Sequence, residues 1–249
     1  MQSLLKELGI KIVILSRSRS ESITTHKLLP SFIEVLVPES QKELYEAKVE
    51  NPVITTPDNV KGLGKLRNWC IDNFKENTVI MLDDDITKCY CLTGYRTRAI
   101  RDPEVVLEII VNAAIMANDL GVGCFGFSQT DIRKYNATQP FDLCTWVGGI
   151  IGVIGKGIRF RNDKFKVDID FVLQNLLTKR IIWQDTRYYF FQLRDNNAGG
   201  NSEFRTKESY EESTKTLKAK WGKYLKVSNQ HASQLKITLN VKRRQSIKL

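Results

Sequence analysis

At 249 residues, 42% of them apolar, the chain can bury one full core, and its formal net charge is +10. No run of about 18 apolar residues occurs, which argues against a membrane-spanning helix, and residues 1–10 lack the apolar core and cleavage site of a signal peptide. Five cysteines without a C-x-x-C pair, and only two histidines, argue against a disulfide framework or a zinc site and fit reduced thiols in a cytoplasm.

The charge is uneven. From Glu203 onward twelve Lys or Arg face four Glu, a balance of +8, which leaves about +2 on everything before it. A basic carboxyl-terminal element on a near-neutral body suits an anionic macromolecular partner; the plainer alternative is a solvated helix with a tail.

Lys11 to Leu15 is an apolar β run opening into Ser16-Arg17-Ser18-Arg19-Ser20, whose hydroxyls and guanidinium forks suit phosphates or a base edge. Thr24 to Leu29 predicts a short helix stopped by Pro30, and Phe32 to Val37 a second strand. Ser40 and Glu43 stand at the spacing of a capping box for the helix that follows. Val53 to Thr56 is a third strand. Next, Gly62 and Gly64 precede Lys65, Arg67 and an amphipathic helix, so backbone amides, a helix start and cations converge; without the G-K-[ST] order this is no Walker loop, and the glycines could equally just shape a turn.

Thr78-Val79-Ile80-Met81-Leu82 ends abruptly in Asp83-Asp84-Asp85. A continuous apolar run bounded by charge predicts a strand covered on both faces, and α/β sheets collect ligands at the carboxyl ends of such strands. Two carboxylates about 4 Å apart repel by roughly 4 kcal/mol at an effective dielectric of about 20. A divalent cation removes that cost, and Mg²⁺ or Mn²⁺ prefers oxygen ligands while keeping positions for phosphate. On an extended segment Asp83 and Asp85 turn the same way, which makes them the expected metal pair. An acidic surface turn is the bland alternative.

Asp102-Pro103 starts a helix running to Leu120 with Gly121 as its stop, and Gly123 to Ser128 is a further strand before a polar loop. Cys144 to Ile154 is apolar and glycine-dense, so a ligand can approach Gly148 and Gly149 closely, with Trp146 either a platform or a buried structural residue. Lys166 to Leu173 opens another helix. Either Asp168 or Asp170 at its start would suit a general base, although Asp168 could be simply an N-cap. Ile181 to Trp183 and Arg187 to Leu193 predict a β-ribbon opening into a polar loop with Asn197, Gly199 and Gly200, able to close over a ligand. From Thr206, a stripe through Tyr210, Leu217, Trp221 and Leu225 predicts a last helix, and Val241 to Gln245 a basic strand or tail. Strand and helix alternate up to the acids, which predicts an α/β fold with a largely parallel sheet flanked by helices.

With these residues in hand, the chain resembles the GT-A-type glycosyltransferases, and more narrowly the TET-associated glycosyltransferases with which phages decorate DNA bases. The carriers are Ile14 to Arg19, Gly62 to Asn68, Asp83 to Asp85, Trp146 to Gly149, Asp168 to Leu173 and Asn197 to Gly200. The resemblance covers roughly Lys11 to Leu225. It implies a catalytic domain over residues 1–201, with residues 202–249 as a basic extension packed on it, in the cytoplasm of an infected bacterium if phage-encoded. The implied reaction moves a sugar from a nucleoside diphosphate sugar, expected to be UDP-linked, to a hydroxymethylated pyrimidine in DNA or a sugar already on it, with inversion and with Mn²⁺ or Mg²⁺.

By the same resemblance Ser16, Arg17 and Arg19 line the nucleotide pocket, Gly62, Gly64, Lys65 and Arg67 meet the diphosphate or sugar, and Asp83 and Asp84 face the nucleotide. Asp85 holds the metal with Asp83, Asp168 or Asp170 deprotonates the acceptor near Trp146, Gly148 and Gly149, and Asn197, Gly199 and Gly200 close over the diphosphate. Many metal-dependent relatives add a late His. This chain has none near Gly200, which leaves Asn197 or water for that position. A nucleotidyltransferase, or a nucleic-acid-binding module with a structural acid cluster, are the competing readings.

Overall fold

The computed structural model describes residues 1–93, 96–128, 140–161, 166–193, 207–231 and 234–241. Asn197, Gly199, Gly200 and the basic residues beyond Val241 lie outside them.

Among the described residues ten strands share one sheet, and its first half is parallel. Strands β1 (Ile10–Leu15), β2 (Glu34–Pro38), β3 (Val53–Thr56) and β4 (Thr78–Asp83) stand in the order β3-β2-β1-β4, every neighbour parallel. The pairing of Leu15 with Asp83 brings the Ser/Arg loop after β1 beside the acids after β4. Alternation along these strands divides the core. Ile12, Ile14, Ile80 and Leu82 pack to one side, while Val13, Leu15, Val79 and Met81 pack to the other. Helix α4 (Pro103–Asp119) covers the first face, together with α1 (Gln2–Glu7) and Tyr45 of α2 (Lys42–Glu46). Helices α3 (Leu63–Asn73) and α5 (Val167–Lys179) cover the second. The second half of the sheet is mixed. Strand β9 (Ile150–Ile154) runs antiparallel between β4 and β7 (Cys124–Ser128), and β7 pairs in parallel with β10 (Trp183–Gln192). A hairpin, β5 (Ile86–Thr93) and β6 (Arg96–Ile100), closes the far edge antiparallel to β10, and the short β8 (Phe141–Asp142) also pairs with β10.

Several local expectations meet the structure unevenly. Asp102 caps α4, its Oδ1 accepting from the Glu104 amide at 2.9 Å. The capping box does not form. Residues 39–41 take a 3₁₀ turn before α2 begins, and the Ser40 hydroxyl donates to Asp58 Oδ1 at 2.7 Å instead. Thr25–Leu28 is likewise a 3₁₀ turn, shorter than the expected helix. Nor is Asp168 an N-cap, because α5 starts at Val167, with Lys166 before it in a left-handed conformation at φ 59°. The two strands expected around Gln184–Thr186 are one. Gln184 and Asp185 are buried there, Gln184 Nε2 donating to the Phe127 and Trp146 carbonyls and Asp185 pairing with Arg187. Their polarity marks internal hydrogen bonding within β10.

Gly152 of β9 has a packing reason. A Cβ there would lie 2.1 Å from the ring of the fully buried Phe125. Gly152→Ala is therefore expected to lower stability by about 1–3 kcal/mol, by overpacking. Urea melts check this, and a variant as stable as the parent would mean that the ring gives way freely.

Past α5, helix α6 (Lys207–Trp221) leads into an antiparallel ribbon, β11 (Leu225–His231) and β12 (Gln234–Leu239). Leu217, Trp221 and Leu225 pack on Ile169 and Leu173 of α5, so this basic segment rests on the helix that carries Asp168 and Asp170. All five cysteines are free thiols. No helix among the described residues is long and apolar enough to cross a membrane.

Candidate active site

The three acids at the end of β4 do different things. Asp84 turns inward and is 5% exposed. Its Oδ2 accepts from the Ser16 hydroxyl at 2.5 Å and its Oδ1 from Arg19 Nη1 at 2.8 Å, while Ser16 and the Arg19 amide both engage the Tyr45 hydroxyl. Burial raises the Asp84 carboxyl above its ordinary value, and the Ser16 hydrogen bond and the charge and hydrogen bond of Arg19 offset only part of that rise. Asp84 thus anchors the Ser/Arg loop against the sheet. Thr24 and Thr25 complete the clamp, their amides donating to the Asp84 carbonyl and the Thr25 hydroxyl to that of Asp83.

Asp83 and Asp85 turn the other way and converge. The Asp83 Oδ2 and Asp85 Oδ1 atoms each lie 3.1 Å from the same nitrogen, Nε2 of Gln192. Arg67 Nη2 stands 3.4 Å from Asp83 Oδ1, and Arg19 Nη1 3.9 Å from Asp85 Oδ2. Burial first, then the charges of Asp83 and Asp84, lifts the Asp85 carboxyl from 3.8 to about 6. The nearby cations therefore leave part of the negative charge uncompensated, although Arg19 and Gln192 pull the other way. Two converging carboxylates with charge to spare fit Mg²⁺ or Mn²⁺, which use one or two carboxylates and keep several waters. Among the described residues no group of three His, Cys, Asp or Glu side chains gathers around one point, since Asp84 is turned away.

The glycine loop stands beside the acids. Gly62 (φ 96°) precedes the first turn of α3, and Gly64 is packed so closely that a Cβ would lie 2.8 Å from the Arg161 carbonyl. Lys65 is exposed. Arg67, one turn in, is 1% exposed, stacks over Phe160 and, among the described residues, leaves Nε and Nη1 without hydrogen-bond partners. Arg17 reaches the same loop through the Val60 carbonyl at 3.3 Å.

The two candidate bases part company. Asp170 is wholly buried and accepts from Trp221 Nε1 and Gln174 Nε2 at 2.8 Å each and from Arg161 Nη1 at 3.3 Å. Asp168 is half-exposed in the first turn of α5. Trp146 packs on the α5–α6 cluster, while Gly148 and Gly149 line a recess with Ile86, Ser128, Phe190 and Gln192. Gly149 adopts φ 69°, and its carbonyl accepts from the Asp83 amide at 2.7 Å. Gln192 was not singled out in the sequence. A lone Gln ending a β run carries no signal; its place between the acids goes with a register shift against β5, where Thr87 is the extra residue.

A parallel half-sheet extended by a mixed one, with acids and a Ser/Arg loop at the strand ends, is the GT-A glycosyltransferase fold. The chain belongs to the TET-associated glycosyltransferase family, whose model matches residues 10–200. Similar solved structures include Staphylococcus aureus TarS 1–349 in complex with UDP-GlcNAc, 15% identical over 84% of this chain and 65% of that one, TM-score 0.50. Another is glucosyl-3-phosphoglycerate synthase from Mycobacterium tuberculosis in complex with Mn²⁺, UDP and glucosyl-3-phosphoglycerate, 12% identical over 91% of this chain and 86% of that one, TM-score 0.51. At such identities the likeness is one of fold, and the chain spans less than two thirds of the TarS fragment. No curated protein matches it.

Proposed function

We propose that the chain transfers a sugar from a nucleoside diphosphate sugar, UDP-linked, to a hydroxymethylated pyrimidine in DNA or to a sugar already attached to one. The observation that carries this reading is the convergence of Asp83 and Asp85 on one point beside the Ser16–Arg19 loop and Arg67. Family membership supports the transfer, and the TarS and synthase complexes, with UDP-GlcNAc and with Mn²⁺ and UDP, support the donor class.

Asp83 and Asp85 would hold Mn²⁺ or Mg²⁺, which supplies positive charge for the departing diphosphate. The loop of Ser16, Arg17 and Arg19, braced by Asp84, receives the nucleotide, with Asp83 toward its ribose. Lys65 and Arg67 at the start of α3, behind Gly62 and Gly64, stabilise the charge that gathers on the leaving group. Asn197, Gly199 and Gly200, outside the described residues, are assigned to the diphosphate by the family resemblance alone. Asp168 takes the acceptor proton, the acceptor lying near Trp146, Gly148 and Gly149. One positioned carboxylate is a single-displacement arrangement, so the anomeric configuration inverts. A base in a duplex has to be flipped out or met on an open strand. The +8 of the carboxyl-terminal segment holds the phosphate backbone without reading sequence.

Mass spectrometry of hydroxymethylated DNA after incubation with Mn²⁺ and a panel of sugar nucleotides tests this. The expected result is a hexose or pentose increment on the base, its inverted linkage read by NMR. Release of pyrophosphate from a nucleoside triphosphate would transfer the site to a nucleotidyltransferase. DNA binding indifferent to Mn²⁺ and sugar nucleotide, with no mass change, would leave only a binding module.

A further inference from the structure

Gln192 ends β10, on the opposite side of the acids from the Ser/Arg loop, and three features bring its amide to them. A register shift that leaves Thr87 of β5 without a partner in β10 sets Gln192 opposite Ile86 where Phe191 faces Lys88, which changes the local twist at Gln192. Gly149, held at φ 69° and bonded through its carbonyl to the Asp83 amide, makes room for it. A Cβ on Gly149 would stand 2.6 to 2.8 Å from Oε1, Cδ and Nε2 of Gln192. The neighbouring Leu193 amide donates to the Asp85 carbonyl at 3.0 Å, so backbone and side chain of this corner are both tied to the acid pair.

A planar amide has a nitrogen donor on one side and an oxygen acceptor on the other, in nearly the same volume. Half a turn about its terminal torsion, which is broad and two-fold, exchanges them. With Nε2 inward it bridges two carboxylates as a donor. With Oε1 inward it becomes a neutral oxygen ligand of the kind that Mg²⁺ and Mn²⁺ accept.

We propose that Gln192 is the third protein member of the cation site: its amide turns over and gives Oε1 to the ion that Asp83 and Asp85 hold. The inference rests on the metal reading of those two acids and adds to it the oxygen that Asp84, committed to Ser16 and Arg19, cannot give. Gly149 is then a glycine for the sake of the amide, which needs its space in both orientations.

The test is Mn²⁺ binding by the full chain with the metal alone, followed by electron paramagnetic resonance of free Mn²⁺ and by water-proton relaxation of the bound ion. The parent is expected to take up one ion and Asp85→Asn to lose it. Gln192→Ala should bind about ten-fold more weakly, with an additional water on the ion. Gln192→Glu should bind at least as tightly as the parent, since a carboxylate oxygen replaces the amide oxygen. Were Gln192 only a pin, Gln192→Ala would keep the parent's affinity and the parent's number of waters on the ion, and that result overturns the proposal. Gln192→Glu binding more weakly than the parent overturns it too. A parent that binds no Mn²⁺ removes the metal reading itself, and this inference with it.

Discussion

Asp85→Asn is expected to reduce transfer by on the order of 10³-fold or more while making the folded chain more stable at neutral pH. On the proposed metal role, the variant removes half of the pair that would steady the departing diphosphate, a contribution of several kcal/mol to the barrier. The gain in stability follows from the site's electrostatics. Burial and the two neighbouring carboxylates hold Asp85 at about 6 in the folded chain, against an ordinary 3.8. Its folded form thus binds a proton more tightly than its unfolded form does. The resulting penalty is absent below about pH 4, grows as the pH climbs to about 6, and is complete above that. A lift of this size corresponds to roughly 3 kcal/mol. Asn keeps an oxygen for the Gln192 amide and removes the charge. Melts in chelator should show the variant above the parent at pH 7.5, with the two converging near pH 4. Activity close to the parent's would end the metal role of Asp85, and a variant less stable at pH 7.5 would end the account of stored repulsion.

The second large effect separates two carboxylates two residues apart. Asp168→Asn should lower the single-turnover rate by about 10²–10⁴-fold, the usual worth of a general base. Half-exposed in a first helical turn, it should change stability by no more than about 0.5 kcal/mol. Asp170→Ala should do the reverse. It strips three donors of their shared acceptor in a fully buried place, and such losses run to about 3–5 kcal/mol. Denaturant melts beside single-turnover rates, taken well below the midpoint of each variant, distinguish the two. If the cooled Asp170→Ala chain were dead while Asp168→Asn worked, the base would have to be reassigned.

How much of this was legible beforehand differs from element to element, for physical reasons. Strand β4 and its acids were plain, because an unbroken apolar run covered on both faces and ended by charge has few other uses. The period of two put Asp83 and Asp85 together and Asp84 apart, which the Gln192 and Ser16 hydrogen bonds match. Helix α4 declared its start through Asp102-Pro103. Strand β10 did not read as one piece, since Gln184 and Asp185 look like turn residues until the carbonyls and the arginine that satisfy them are known. Hairpin β5–β6 and strand β11 went unread, lacking a sustained alternation of apolar and polar residues, whereas β12 carries one in Leu235, Ile237 and Leu239 and was legible but missed. Asp168 and Asp170 could not be separated from spacing alone. The difference comes from Trp221, 51 positions downstream. Gln192 was out of reach for a similar reason, as a bulge leaves no trace in composition.

That indole–carboxylate link reaches further than one hydrogen bond. The lysine-rich tail is riveted, through Trp221, to the very helix whose opening turn presents Asp168. Helix α6 and the helix that carries Asp168 thus form one packed assembly, not two swappable modules. A borrowed segment without that tryptophan would leave Asp170 to Gln174 and Arg161 alone.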